Sequence, residues 1–175
     1  QPDVLCDLVT ELACSLFGTE IALVSLVAEQ RQWFKSRRGL EAPGTPRSQS
    51  FCSHAIEQDE VMVVPDACQD ARFAANPLVT GAPGIRFYAG APLQTADGVR
   101  LGTLCVISTS PRTEFTRAER LTLRQLAAVV MARLDTLRSA SYMDSLTALP
   151  NRSRLDADLQ ELAAFGPQGA ALPGK

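Results

Sequence analysis

Apolar residues recur at helical spacing at the start of the chain. Val4, Leu5, Leu8, Val9, Leu12, Ala13, Leu16 and Phe17 share one side of a 3.6-residue repeat, with Asp3, Asp7 and Glu11 opposite. The pattern predicts an amphipathic helix over 3–17, with Asp3 as its N-cap and Gly18 as its stop. The period then changes. Residues 21–28 are apolar and β-rich, and after Glu29-Gln30 the segment 32–36 alternates, which predicts a hairpin of one central and one half-exposed strand. Trp33 and Phe34 are adjacent and so point to opposite faces; the sheet is expected to bury one and leave the other for a partner.

Glycine and proline crowd 39–46 into a predicted loop, and 50–58 reads as a second helix capped by Ser48 or Ser50. A short strand over 61–64 ends at Pro65-Asp66. Residues 67–84 read as irregular yet packed, because Phe73, Leu78 and Val79 need cover. The clearest hairpin joins 85–94 to 99–108 through Ala96-Asp97-Gly98. Thr116 stands three residues before Glu119, a capping-box spacing, and Leu123, Leu126, Val130, Leu134 and Leu137 then repeat at three- and four-residue steps. This predicts one long helix over 116–142. The expected class is α+β, an antiparallel sheet with helices packed against it.

A chain of 175 residues holds one well-buried domain plus a short appendage. With a net charge of -2 and its cations scattered, it offers no basic stripe, so no nucleic-acid partner is expected; the cluster Arg31–Arg38 reads as a solvated strand face. No run approaches the roughly 18 apolar residues of a membrane span. The five cysteines are odd in number and scattered, which predicts reduced thiols and a cytoplasmic location. One histidine and no CxxC pair give no expectation of a metal or cofactor, and none is assigned.

The blocks Phe51-Cys52-Ser53-His54-Ala55-Ile56, Val64-Pro65-Asp66-Ala67, Asp70-Ala71-Arg72-Phe73, Asn76-Pro77-Leu78-Val79, Ile85 through Leu93 and Leu101 through Ile107, in this order, resemble GAF domains over about 3–138. The fold this implies agrees with the element order above. A second motif, Asp144-Ser145-Leu146-Thr147-Ala148-Leu149-Pro150-Asn151-Arg152, is similar to the opening of GGDEF diguanylate cyclase domains, with Ala148 where glycine is usual. The resemblance implies a domain order of 1–142, a sensory domain with its linker helix; 143–165, the first GGDEF helix; and 166–175, a tail. It pairs Asp144 with Arg152 at the junction. The GGDEF signature does not occur in the sequence, so the segment itself is expected to be non-catalytic. Gln1 in place of methionine hints at an upstream portion.

In a GAF fold the segment 66–84 covers one face of the sheet, which makes Asp66, Asp70, Arg72 and Asn76 the candidate rim of a small-molecule site floored by Phe87 or Tyr88. The alternative is that these polar groups bond their own loop and that Asp70 and Arg72 brace it. Arg86 could pair with Asp66 or Asp70. Cys52 and His54 also belong to the candidate set, but two residues apart on a helix their side chains diverge, which disfavours a nucleophile and base pair. Cys105 reads as core. No Cys-His pair exists to attach a bilin.

The expected function is sensing or signal relay, through a parallel homodimer of the terminal helices, to a diguanylate cyclase and so to cyclic di-GMP. The leucine stripe of helix 116–142 is taken as the seam, to be weakened by Val130→Glu. Two alternatives stand beside it: a ligand-free dimerisation module, favoured by a cavity fit only for water, and a GAF-type free methionine sulfoxide reductase using Cys52 or Cys68.

Overall fold

A computed structural model describes residues 3–142. Helix α1 spans Val4–Phe17. Its N-cap is Asp3, which accepts from the Cys6 N–H, and it ends at Gly18 in the left-handed region at φ 65°. Six strands follow: β1 Ile21–Val27, β2 Arg31–Arg38, β3 Gly44–Pro46, β4 Met62–Val64, β5 Phe87–Gln94 and β6 Arg100–Ser108. They form one antiparallel sheet in the order β3-β2-β1-β6-β5-β4. Between β3 and β5 lie the short helices α2 Cys52–Ala55 and α3 Pro77–Thr80, and the chain closes on α4 Arg117–Tyr142. The capping box at its start is formed: Thr116 Oγ1 accepts from the Glu119 N–H, and Glu119 Oε1 accepts from the Thr116 N–H.

Because side chains alternate along a strand, each strand feeds two apolar layers. Val24, Leu26, Phe87, Ala89, Leu104 and Val106 meet α1 and α4 on one face. Ile21, Leu23, Phe34, Tyr88, Cys105 and Ile107 meet α2 and the segment after it on the other.

The structure departs from several expectations. Residues 43–46 are not wholly loop: Gly44–Pro46 forms edge strand β3, a position that tolerates a proline, with Gly44 set tight against the Gln32 carbonyl. The second helix is short, a 3-10 turn at Arg47–Gln49 and then α2, because beyond Ile56 four exposed polar residues offer no apolar face to pack.

Strand β2 is buried from Gln32 to Ser36, charged residues notwithstanding. A bulge where the pairing passes from Val24↔Ser36 to Ser25↔Phe34 sets Lys35 at the irregularity in the ladder. Lys35 and Ser36 are both covered, with Asp3 and Asp7 beside them. Trp33 and Phe34 are both buried, since both faces of β2 have cover.

That polar patch also rotates α1 from its expected setting. Asp3 and Asp7 do not lie on a solvent side: Ser36 Oγ donates to Asp7 Oδ1 at 2.6 Å, and Arg133 Nε of α4 donates to Asp3 Oδ2 at 2.8 Å. Cys6, Val9, Ala13 and Phe17 enter the core, while Val4, Leu5, Leu8, Leu12 and Leu16 remain exposed.

Candidate functional site

The face of the sheet opposite the long helices carries a cavity of ≈ 30 Å³, room for about two water-sized groups. Its walls are almost wholly apolar: Leu23, Phe34, Phe51, Leu78 and Ile85 are among them, with Cys52, Gln32, Thr45 and Tyr88 as the residues carrying sulfur or polar side-chain atoms.

Gln32 is the organising polar residue. Its Oε1 accepts from Ser25 Oγ at 2.8 Å and from Ser50 Oγ at 2.7 Å, while its Nε2 donates to Thr45 Oγ1 at 2.8 Å. Ser50 in turn accepts from the Ser53 N–H at the start of α2, whose N-cap is Phe51 and not the Ser48 or Ser50 expected. One buried amide therefore ties β1, β2, β3 and the start of α2 together. Gln32→Leu is expected to cost about 2 kcal/mol, because three hydroxyls lose a buried partner; a urea midpoint unchanged from the parent protein would contradict this.

Beside the amide lies a thiol cluster. Tyr88 OH donates to Cys52 Sγ at 3.3 Å, and Thr103 Oγ1 donates to it at 3.0 Å. Cys105 lies in the same apolar layer, on the face of β6 that carries Thr103. Burial alone pushes the Cys52 thiol up, but its polar neighbours, Thr103 and Tyr88 donating among them, outweigh it and hold the pKa below the ordinary thiol value. Cys105 is pushed up by its own burial and by the neighbouring Cys52. Burial likewise pushes up the Tyr88 phenol.

Of the sequence candidates, Cys52 and Tyr88 reach this cavity. Phe87 does not, because the alternation of β5 sends it to the helix face, where its ring lies 5.6 Å from Phe115. The polar rim expected from Asp66, Asp70, Arg72 and Asn76 is not at the cavity either. Asp66 accepts from the Cys68 N–H, and Asn76 caps α3 through the Leu78 N–H while donating to the Gln49 carbonyl. Asp70 grips Arg72 through both carboxylate oxygens and also accepts its backbone N–H. Arg86 donates to the carbonyls of Val79 and Ile85 instead of to an aspartate.

His54 stacks edge-on to Phe73 at 5.0 Å, with Nδ1 3.9 Å from Glu57. Cys68 is exposed. Among the described residues no group of three His, Cys, Asp or Glu side chains is placed to hold a metal, and no helix is long and apolar enough to cross a membrane. The sequence reading missed Gln32, Thr103 and Cys105. The available signal was a glutamine two residues from Phe34 in a strand, and so on the same face.

A family model described as GAF domain matches residues 1–134. The chain belongs to the GAF family. The six-stranded sheet with flanking helices agrees with solved GAF folds. The GAF domain of a phosphoenolpyruvate-protein phosphotransferase from Coxiella burnetii superimposes with a TM-score of 0.66 at 15% identity, covering 81% of this chain and 88% of that one. Free methionine-R-sulfoxide reductase from Neisseria meningitidis does so with a TM-score of 0.63 at 20% identity, covering 80% and 83%. At these identities the likeness is one of fold.

Two curated relatives are nearer in sequence. Cyclic di-GMP phosphodiesterase PA2567 of Pseudomonas aeruginosa is 50% identical over 147 residues, 84% of this chain and 25% of that protein. Diguanylate cyclase DgcP of Escherichia coli is 34% identical over 131 residues, 65% of this chain and 36% of that protein. The chain thus spans between a quarter and little more than a third of the length of these two relatives.

The leucine stripe of α4 is likewise placed differently from expectation. Leu123, Val130 and Leu134 are fully buried against the sheet face, with Leu126 and Leu137 packed at the edge of the same core. A charge at Val130 would therefore break the core and says nothing about a dimer. Asp144 and Arg152, with the whole of 143–175, lie outside the described residues.

Proposed function

We propose that this chain is the sensory GAF module of a protein of cyclic di-GMP metabolism, relaying its state through α4 to an output domain that opens at Asp144. The observation that carries this reading is the 50% identity to PA2567 over 84% of the chain. The motif Asp144 through Arg152 supports a GGDEF-type domain following directly, in line with the domain order expected from the sequence. The two relatives are named for opposite reactions, hydrolysis and synthesis, so the module serves either output. An unbroken α4 of 26 residues is about 39 Å long, and its last turns leave Ser139 and Ala140 exposed, as a stiff link to a next domain requires. The cavity favours a very small ligand, or none, over a nucleotide.

The module acts as a homodimer in this reading, with a seam unlike the one read from sequence. Leu5, Leu8, Leu12 and Leu16 line one edge of α1 in steps of three and four, and all are exposed, as are Leu121 and Val129 on α4. Leu8→Glu with Leu12→Glu is expected to convert a dimer to a monomer in light scattering while leaving the urea midpoint in place. A chimera tests the relay. With this chain in place of the matching segment of PA2567, cyclic di-GMP hydrolysis should persist, and the doubly substituted version should lose most of it. Equal hydrolysis by dimeric and monomeric chimeras would defeat the proposal.

A further inference from the structure

Cys52 opens α2 and forms part of the cavity wall, while Cys105 sits in β6 opposite Leu23 and Gly90. Cys105 shares the face of β6 with Thr103, two residues away, and pairs with Gly90, over which the Tyr88 hydroxyl lies, so the two groups that donate to Cys52 flank Cys105, and both thiols are buried. Two hydroxyls aimed at one sulfur are more than packing needs. Tyr88 and Thr103 both spend their protons on Cys52 Sγ, an arrangement that stabilises negative charge on that atom. The space in front of it admits about two water-sized groups between apolar walls. That volume suits a small neutral molecule of two heavy atoms and excludes anything ionic or bulky.

We propose that Cys52 and Cys105 form a peroxide-responsive dithiol, in which hydrogen peroxide entering the cavity oxidises Cys52 and Cys105 resolves the product as a disulfide. In the first step the Cys52 sulfur attacks one peroxide oxygen. The O–O bond breaks, the departing hydroxide takes up a proton to leave as water, and Cys52 becomes a sulfenic acid. In the second, the Cys105 sulfur attacks the Cys52 sulfur. The S–O bond breaks, and the hydroxyl leaves as water with the Cys105 proton. Two thiols lose two electrons and two protons, and one peroxide becomes two waters. The two donated hydroxyls favour the nucleophilic thiolate at Cys52, and burial favours the protonated form of Cys105. The exposed Cys68 has no such donors among its hydrogen bonds.

That this oxidation is a signal rests on the reading given above; the thiol chemistry does not. The test is stoichiometric hydrogen peroxide on the reduced chain, followed by alkylation under denaturing conditions, intact mass and peptide mapping. The expected result is the loss of two hydrogens, a Cys52–Cys105 linkage and a fall from five alkylated thiols to three. In Cys105→Ser, Cys52 should gain one oxygen and be captured by dimedone. Thr103→Val, which keeps the shape but removes a donor, should slow the reaction by about tenfold. Oxidation confined to Cys68, with Cys52 and Cys105 both recovered alkylated, would overturn the proposal. The wild-type peptide map alone decides this if a variant fails to fold. Linkage without any change in hydrolysis by the chimera would leave the dithiol standing and remove its signalling role.

Discussion

Gly102→Ala is expected to abolish the native fold or to destabilise it by about 3 kcal/mol or more. A Cβ at this position would lie 1.8 Å from the Ser25 carbonyl oxygen, 2.8 Å from the Ser25 carbonyl carbon and 2.9 Å from the Leu26 Cα. All three are backbone atoms of β1, the partner of β6 at the centre of the sheet, so no side chain can turn aside to make room. Separation of β1 from β6 would split both apolar layers at once. Gly44 supplies the contrast. Its added Cβ would meet the Gln32 carbonyl oxygen at 2.4 Å, but β3 is a three-residue edge strand that can move away. Circular dichroism and urea titration should rank Gly102→Ala well above Gly44→Ala in damage, and equal midpoints would contradict the central role given to β6.

Asp3→Ala, at the N-cap of α1, should cost about 2 to 3 kcal/mol. The side chain is only 4% exposed and serves twice, as N-cap to the Cys6 N–H and as partner to Arg133. Removing it leaves Lys35, covered between α1 and β2, short of one of its compensating charges. The Arg133 side chain is 36% exposed, so solvent absorbs part of that loss. Asp3→Asn keeps a capping oxygen and gives up the charge, and is expected to cost about 1 kcal/mol less than alanine.

The charge also fixes a pH dependence. Burial alone would raise the Asp3 pKa, but the Cys6 N–H and Arg133 outweigh it and lower it from 3.8. The carboxylate's contribution to stability is therefore present above 3.8 and lost as the pH falls through the lower folded value. Acid titration of the urea midpoint should show this loss in the parent protein and not in Asp3→Asn.

Most of the fold could be read from periodicity, because the segments concerned obey one period each. The Asp-Gly hairpin, the capping box at Thr116 and the helix ends at Asp3 and Gly18 are local chemistry, and local chemistry is visible in a sequence. What failed was the assignment of faces. A two-period rule sends Lys35 and Ser36 to opposite sides, and the bulge beside Ser25 brings both under cover with α1. Once that polar patch existed beneath α1, Asp3 and Asp7 turned inward and the leucines outward, against a hydrophobic count that took them as core. The candidate site was legible by half. Cys52 and Tyr88 were named, but the polar residues of 66–76 proved to bond their own loop, and Phe87 was one position out of phase. Gln32 and Cys105 became visible only when distant strands were brought side by side, which no local pattern encodes.

Strand β6 carries Leu104 and Val106 toward α4, and between them Cys105 into the opposite apolar layer. The two layers are thus separated there by a single backbone, which behaves as a diaphragm with one residue pressed from one side and its immediate neighbours bearing on the other. In the proposed relay, a shift of the chain at Cys105 would alter the seat of α4 without a moving loop, and a continuous helix of 26 residues would turn a small displacement where it is packed into a larger one at its far end.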